Sequence, residues 1–338
     1  MARNRPSVFI DGEAGTTGLG IRTRLQQLAG VTVESLQPAQ RKDPAARREM
    51  MAAVDLVVLC LPDEAAREAV ALADGLGREA PKLLDASTAH RVDLDWTYGF
   101  PEMEERQARR IAAAGRVSNP GCYATGAIAL LRPLVDAGIV PRDYPVAINA
   151  VSGYSGGGKS MIAAHETAGG PAFELYGLGL EHKHVGETEL YSGLTRRPVF
   201  VPSVGHFRQG MLVSVPLHLD TLPGVLRGAD LFEVLAARYR DCALVSVVAP
   251  TAEGKLEPQG LNDTDALELR VHANEARRQA VLVARLDNLG KGACGQAIQN
   301  IKLMLGLPQS TAIGNQERLV EEVAAGMPAA AEEQRKYA

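Results

Sequence analysis

Ser118-Asn119-Pro120-Gly121-Cys122-Tyr123 places one cysteine directly after a Pro-Gly break and at the head of the apolar run 124–131. A break followed by a periodic apolar run predicts a helix start. A thiol in the first helical turn meets the positive end of the helix dipole and unpaired backbone N–H groups, which favour the thiolate. The same cysteine could instead fill a helix–loop gap as a small apolar side chain. Three histidines lie in polar, glycine-flanked settings: His182 and His184 in Glu181-His182-Lys183-His184-Val185-Gly186-Glu187, and His206 in Gly205-His206-Phe207-Arg208-Gln209-Gly210-Met211. A cysteine nucleophile needs a group to take its proton and one to return a proton to a developing alkoxide. Histidine suits both near neutral pH. A His-x-His pair also suits zinc, but no third ligand stands near it in the sequence, so we expect no metal. Arg208 could fork onto a carboxylate or phosphate.

A second constellation lies at the N-terminus. Gly12, Gly15 and Gly18 form a G-x-x-G-x-x-G turn between a short apolar strand at 7–10 and a helical pattern over 19–28. Glycines at this place allow a tight turn and let a pyrophosphate approach the helix N-terminus, so we expect a dinucleotide. After the second strand, Glu34 favours a ribose hydroxyl, whereas Arg41, Lys42, Arg47 and Arg48 favour a 2′-phosphate; on balance the reading is NADP(H). The stretch from Gly153 to Ser160, including Lys159, satisfies G-x-x-x-x-G-K-[ST] letter for letter. The helix candidate after it is short and ends at Gly169-Gly170-Pro171, and no later strand ends in a convincing metal-binding aspartate. We expect a loop that touches the dinucleotide or closes over the site, not an ATPase.

Strand–helix alternation must position these groups in the first part of the chain. Strands at 31–36, 55–61 and 82–85 alternate with helices at 44–51 and 63–76, which predicts a Rossmann-like, doubly wound parallel sheet. Strands at 146–151, 199–204, 211–219, 244–249, 267–273 and 280–286 follow with few helices between the later ones. They predict a second, mixed α/β domain with a largely antiparallel sheet. A helical pattern returns over 297–305. The expected division is 1–121 for the dinucleotide domain, with 291–338 packing back on it, and 122–290 for the catalytic domain. The end, 327–334, is low in complexity and is expected to fray.

The chain has 338 residues, a net charge of −4, 46% hydrophobic residues and 4% aromatics. These values suit two cores and argue against nucleic acid or anionic membrane as partner. No signal peptide or apolar span of membrane length is apparent. Cys60, Cys122, Cys242 and Cys294 are too scattered for a metal motif or a disulfide framework, which predicts a cytoplasmic protein with reduced thiols.

Together these segments, with Ser152-Gly153-Tyr154-Ser155-Gly156 and the stretch from Asp287 to Gln296, resemble the N-acetyl-gamma-glutamyl-phosphate reductases, in particular their shorter, second type. The resemblance spans roughly 7–307. It implies NADPH-dependent reduction of a small acyl phosphate to an aldehyde through a thioester on Cys122. It implies His182 as acid/base, while the related semialdehyde dehydrogenases point to His206. It further implies cofactor contacts from Gly12, Gly15, Thr16, Thr17, Gly18, Arg41, Ser87, Ser155, Gly156, Asn288 and Lys291. Substrate contacts are implied for Asn119, His184 and Arg208, and a homo-oligomer for the assembly. Reductases of aminoadipyl or aspartyl phosphates, a phosphotransferase using Lys159 and a non-catalytic dinucleotide sensor are the alternatives.

Overall fold

The computed structural model describes residues 5–309; the expected frayed end at 327–334 lies outside the described residues. Strand and helix alternate at first: β1 (Ser7–Asp11), α1 (Thr16–Gln26), β2 (Thr32–Glu34), α2 (Pro44–Ala53), β3 (Leu56–Leu59), α3 (Asp63–Asp74), β4 (Lys82–Asp85), β5 (Thr97–Tyr98), α4 (Gln107–Ala113) and β6 (Arg116–Ser118). The strands form one parallel sheet in the order β2-β1-β3-β4-β6-β5. All four residues of β3 are buried, as a strand covered on both faces requires. Alternate residues face opposite layers. Val8, Ile10, Leu56 and Val58 pack with Ile21 and Leu25 of α1 and Ile111 of α4. Phe9, Val57 and Leu59 pack with Met51 of α2 and with Ala69, Val70 and Ala73 of α3.

The chain leaves β1 towards β2 on one side and later β3 on the other, so a crevice opens at the C-terminal ends of these strands. Gly12 makes the turn there with φ +90°, and a Cβ on it would lie 2.3 Å from the Cys60 carbonyl oxygen. Only glycine fits this position.

The second part contains α5 (Cys122–Asp136), β7 (Ala147–Gly153), α6 (Gly158–Ala168), β8 (Phe173–Leu175), α7 (Val185–Ser192), β9 (Val199–Gly205), β10 (Met211–His218), α8 (Gly228–Tyr239), β11 (Val245–Val247), β12 (Leu267–Asn274), β13 (Gln279–Leu286) and α9 (Gly295–Met304). Its mixed sheet runs β11-β12-β13-β10-β7-β9-β8, with parallel pairs β7–β9 and β11–β12 and antiparallel pairs elsewhere. In β10, Met211, Val213, Val215 and Leu217 are buried while the residues between them are not. The buried set forms one core with α5 and α8. On the opposite face a groove of about 730 Å³ runs past Leu175, Leu212, Val281 and Val283. A π-helical turn, Gly290–Cys294, leads into α9. There Ile301 and Met304 bury themselves in the core of the first sheet, each worth about 1.5–3 kcal/mol. Among the described residues no helix is long and apolar enough to cross a membrane.

Candidate active site

β6 ends at Ser118, and the turn Asn119-Pro120-Gly121 delivers Cys122 as the first residue of α5. The thiol therefore lies at the C-terminal edge of the parallel sheet, where ligands of α/β folds bind. Cys122 is half-buried. It lines a cavity of about 370 Å³ together with Thr17, Arg91, Ser155, His182, His184 and Asn288. A second cavity of about 390 Å³ adjoins it, walled by Gly15–Gly18 and Ser87 on one side and by Gly158 and Lys159 on the other. Thr16, Thr17, Arg91 and Lys183 border both. The phosphate-loop look-alike is thus the far wall of the glycine-lined crevice.

The thiol departs from the expectation of a lowered pKa. Burial pushes Cys122 up to about 11, against the pull of Arg91, of the Tyr123 backbone N–H and of Lys183, with Glu187 adding to the rise. Desolvation outweighs the helix start. His182 accepts a hydrogen bond at Nδ1 from the His184 backbone N–H at 3.1 Å. Its neutral ring therefore carries the proton on Nε2. Burial, then Lys183 and Arg91, hold its pKa down at about 4. Burial holds His184 well below the ordinary value too, and its buried Nδ1 has no partner. Both rings pack against Tyr123, with centroids 5.7 and 5.8 Å away.

Beneath the thiol lies a network that the sequence reading missed. The Glu187 carboxylate accepts from Arg91 Nη1 at 2.9 Å, from Tyr98 Oη at 2.7 Å and from the Gly121 backbone N–H at 3.1 Å. Arg91 also donates to the carbonyls of Asn119 and Ala86. A signal existed for both charged residues. Arg91 follows β4 at the ligand-binding edge of the sheet, and Glu187 lies three residues after His184, on the same helical side.

The residues expected around the glycine loop are placed as follows. Arg41 reaches the loop, but as a partner of Glu13 at 2.6 Å; Arg22 and Ser35 share the same carboxylate. The cradle fits a dinucleotide. Gly12 admits no side chain, Gly15 caps the N-terminus of α1, and Arg22 and Arg41 meet Glu13 in the loop after β1. Ser87 is held by Asp85 through its N–H and Oγ, both at 2.8 Å. Asn288 donates to Ser155 Oγ at 2.9 Å and accepts from Gly210 N–H. Gly156 borders the Cys122 cavity. Asn119 borders it as well, with its amide engaged by Ala293 and Asn300.

Three expected residues stand elsewhere. Lys291 is wholly buried, and its Nζ binds Glu102 at 2.8 and 2.9 Å and Gln299 at 2.7 Å, so it does not reach the crevice. A lysine at a helix start reads like a phosphate ligand until the partner acid, 189 residues away in sequence, is seen. Arg208 is exposed and paired with Glu166, outside the cavity. His206 is exposed as well, with its Nδ1 2.9 Å from Nδ1 of His165. Their segment braces the glycine loop from outside: the Phe207 and Arg208 carbonyls accept the N–H groups of Tyr154 and Ser155.

Comparison with known proteins agrees with this architecture. Residues 122–288 match the family model described as semialdehyde dehydrogenase, dimerisation domain. Solved structures share the fold. Aspartate semialdehyde dehydrogenase II of Vibrio cholerae aligns with a TM-score of 0.66 at 17% identity, over 90% of this chain and 99% of that one. The Candida albicans aspartate semialdehyde dehydrogenase, solved with NADP, aligns with a TM-score of 0.57 at 12% identity, over 89% and 98%. Curated relatives are far nearer in sequence. N-acetyl-gamma-glutamyl-phosphate reductase of Burkholderia cenocepacia is 52% identical over 309 residues, covering 89% of this chain and 97% of the relative. That of Chelativorans sp. is 50% identical over 305 residues, covering 88% and 97%. N-acetyl-gamma-glutamyl-phosphate reductase 2 of Pseudomonas putida is 49% identical over 311 residues, covering 90% and 98%. Identity at this level, sustained over nearly the whole of each relative, places the chain in the N-acetyl-gamma-glutamyl-phosphate reductase family.

Proposed function

We propose that this chain reduces N-acetyl-gamma-glutamyl phosphate to N-acetylglutamate 5-semialdehyde, releasing phosphate, in arginine biosynthesis, with NADPH as reductant. The observation that carries the reading is the half-buried Cys122 at a helix start, in one cavity with His182 and His184 and adjoining the glycine-lined crevice. Cys122 Sγ, as thiolate, forms a bond to the acyl carbon, and the carbon–oxygen bond to phosphate breaks with its electron pair leaving on phosphate. When bound, the reduced nicotinamide supplies the hydride that the thioester carbon accepts. The Cys122 carbon–sulfur bond then breaks to free the aldehyde and return the thiolate.

His182 presents Nε2–H as a neutral donor suited to the carbonyl oxygen. Taking the thiol proton needs the other tautomer, which leaves the His184 N–H without its acceptor at a cost of about 1–3 kcal/mol. The first N–H groups of α5 are a further oxyanion donor set. Arg41 would face the 2′-phosphate by exchanging Glu13 for it. We assign 1–121 and the returning α9 to the cofactor and 122–290 to the substrate. We also infer a homo-oligomer in which a second copy covers the open groove of the mixed sheet, in accord with the matched dimerisation domain. Four free cysteines suit a cytoplasmic enzyme.

Steady-state assays against N-acetyl-gamma-glutamyl, aspartyl and aminoadipyl phosphates, with NADPH and NADH, test the proposal. A clear preference for the first substrate with NADPH is expected. Preference for another acyl phosphate would overturn the specific choice.

A further inference from the structure

We propose that Glu187 is the positioning residue of the nucleophile: its carboxylate fixes the Gly121–Cys122 backbone and holds the Arg91 guanidinium beside the thiol. The inference rests on the reading of Cys122 as nucleophile. Glu187 is 1% exposed. A buried carboxylate is costly unless paired, and well-packed apolar residues commonly serve stability better. Here three donors from three separate places converge on it: Tyr98 of β5, Arg91 from the loop after β4, and the N-cap residue of the Cys122 helix.

The link to Gly121 resembles a capping box whose acid comes from another helix. With the Gly121 N–H taken by Glu187, the N–H groups that follow are left to face a substrate oxygen. Arg91 is held on its other sides by the Asn119 and Ala86 carbonyls, so Glu187 closes the last open side of the guanidinium. The first turn of α7 therefore carries the anchor, and the residues just before it carry His182 and His184. One short segment sets the histidines and the thiol in a common frame. The charged and titratable groups facing Cys122 are Arg91, Lys183 and Glu187, then the rings of Tyr123, Tyr176, His182 and His184.

The test is the pH profile of Cys122 alkylation by iodoacetamide in the substrate-free protein, read by peptide mass spectrometry, alongside turnover. Glu187→Gln keeps an acceptor for Gly121 and removes the charge. We expect its alkylation midpoint to fall, by less than about one pH unit because Glu187 acts on the thiol more weakly than burial, Arg91 or Lys183, and its kcat to fall about 10- to 100-fold with KM within about threefold. Tyr98→Phe keeps the ring but leaves the carboxylate less neutralised. It should move the midpoint up by a few tenths of a unit, and it decides the matter if Glu187→Gln does not fold. Unchanged midpoints in the folded variants overturn the proposal, as does a raised KM with kcat intact, which would make Glu187 a substrate ligand. An unchanged midpoint refutes the role of Glu187 whatever the wild type turns over. Shifted midpoints with a wild type inactive on N-acetyl-gamma-glutamyl phosphate refute the proposed reaction alone.

Discussion

Gly121→Ala adds a single methyl group at the point where the site is tightest. Its Cβ would lie 2.4 Å from His184 Nε2, 2.6 Å from Arg91 Nη1 and 2.6 Å from Glu187 Oε1. Ordinary contact needs roughly 3.5 Å, so these groups must retreat by about 1 Å. None has room, since all three side chains are buried. The backbone itself raises no objection: φ −77° and ψ 148° suit alanine. Replacing glycine at an unstrained position would otherwise stabilise by about 0.4–1 kcal/mol. Against that stand overpacking, at about 1–3 kcal/mol, and any charged hydrogen bond broken in the retreat, at about 1.5–3 kcal/mol. The net destabilisation is about 1–4 kcal/mol, which lowers the melting temperature of a 338-residue chain by about 1.5–6 °C. A displacement of about 1 Å at the reacting groups costs about 100-fold in kcat. Gly115→Ala is the control, because nothing lies within 4 Å of its Cβ; its kcat and melting temperature should match the wild type. Calorimetry and steady-state kinetics on both variants check the reasoning. A Gly121→Ala protein with wild-type melting and kcat within about twofold would refute the claim that these groups must sit where they do.

Cys122→Ser should lose at least about 1000-fold in kcat while binding NADPH with unchanged affinity in a fluorescence titration. His182→Asn should slow turnover more than His206→Asn, because only His182 shares the thiol's cavity; the opposite ranking would show that the Gly-His-Phe segment swings inward to act. Arg41→Ala should weaken NADPH binding about tenfold or more and leave NADH nearly unchanged, as measured by calorimetric titration. Two pH profiles follow from the burial of the site. Iodoacetamide should modify wild-type Cys122 with a rate that keeps climbing towards pH about 11; a plateau near neutrality would contradict it. His182 titrates at about 4 in the folded chain against 6.5 ordinarily, so the unfolded chain binds the proton first. Urea-measured stability should therefore decline as pH drops from 6.5 towards about 4.

Much of the architecture was open to sequence reading because its signals are local. The apolar runs of β1, β3, β10, β12 and β13 and the glycine turn after β1 announce themselves. β4 falls on the expected 82–85, and α5 begins at Cys122 as the Pro-Gly break foretells. The failures also have local causes. β5 and β8 are two and three residues long, too short for a period to show. α7 turns Glu187 and Thr188 inward, so it lacks the apolar stripe that marks a helix.

By itself the sequence determined that a cysteine would open a helix and that a glycine turn would follow the first strand. Residue type and immediate neighbours settle both. Only the tertiary structure decided what surrounds that cysteine. It put His182 and His184 in the thiol's cavity while His206 stayed outside, and it buried Lys291 against Glu102. It also brought Arg91, Tyr98 and Glu187 from three elements to one point under Gly121. Which charges meet in a buried site depends on how layers pack, and the resulting desolvation, which helix position alone cannot reveal, sets the resting state of the thiol.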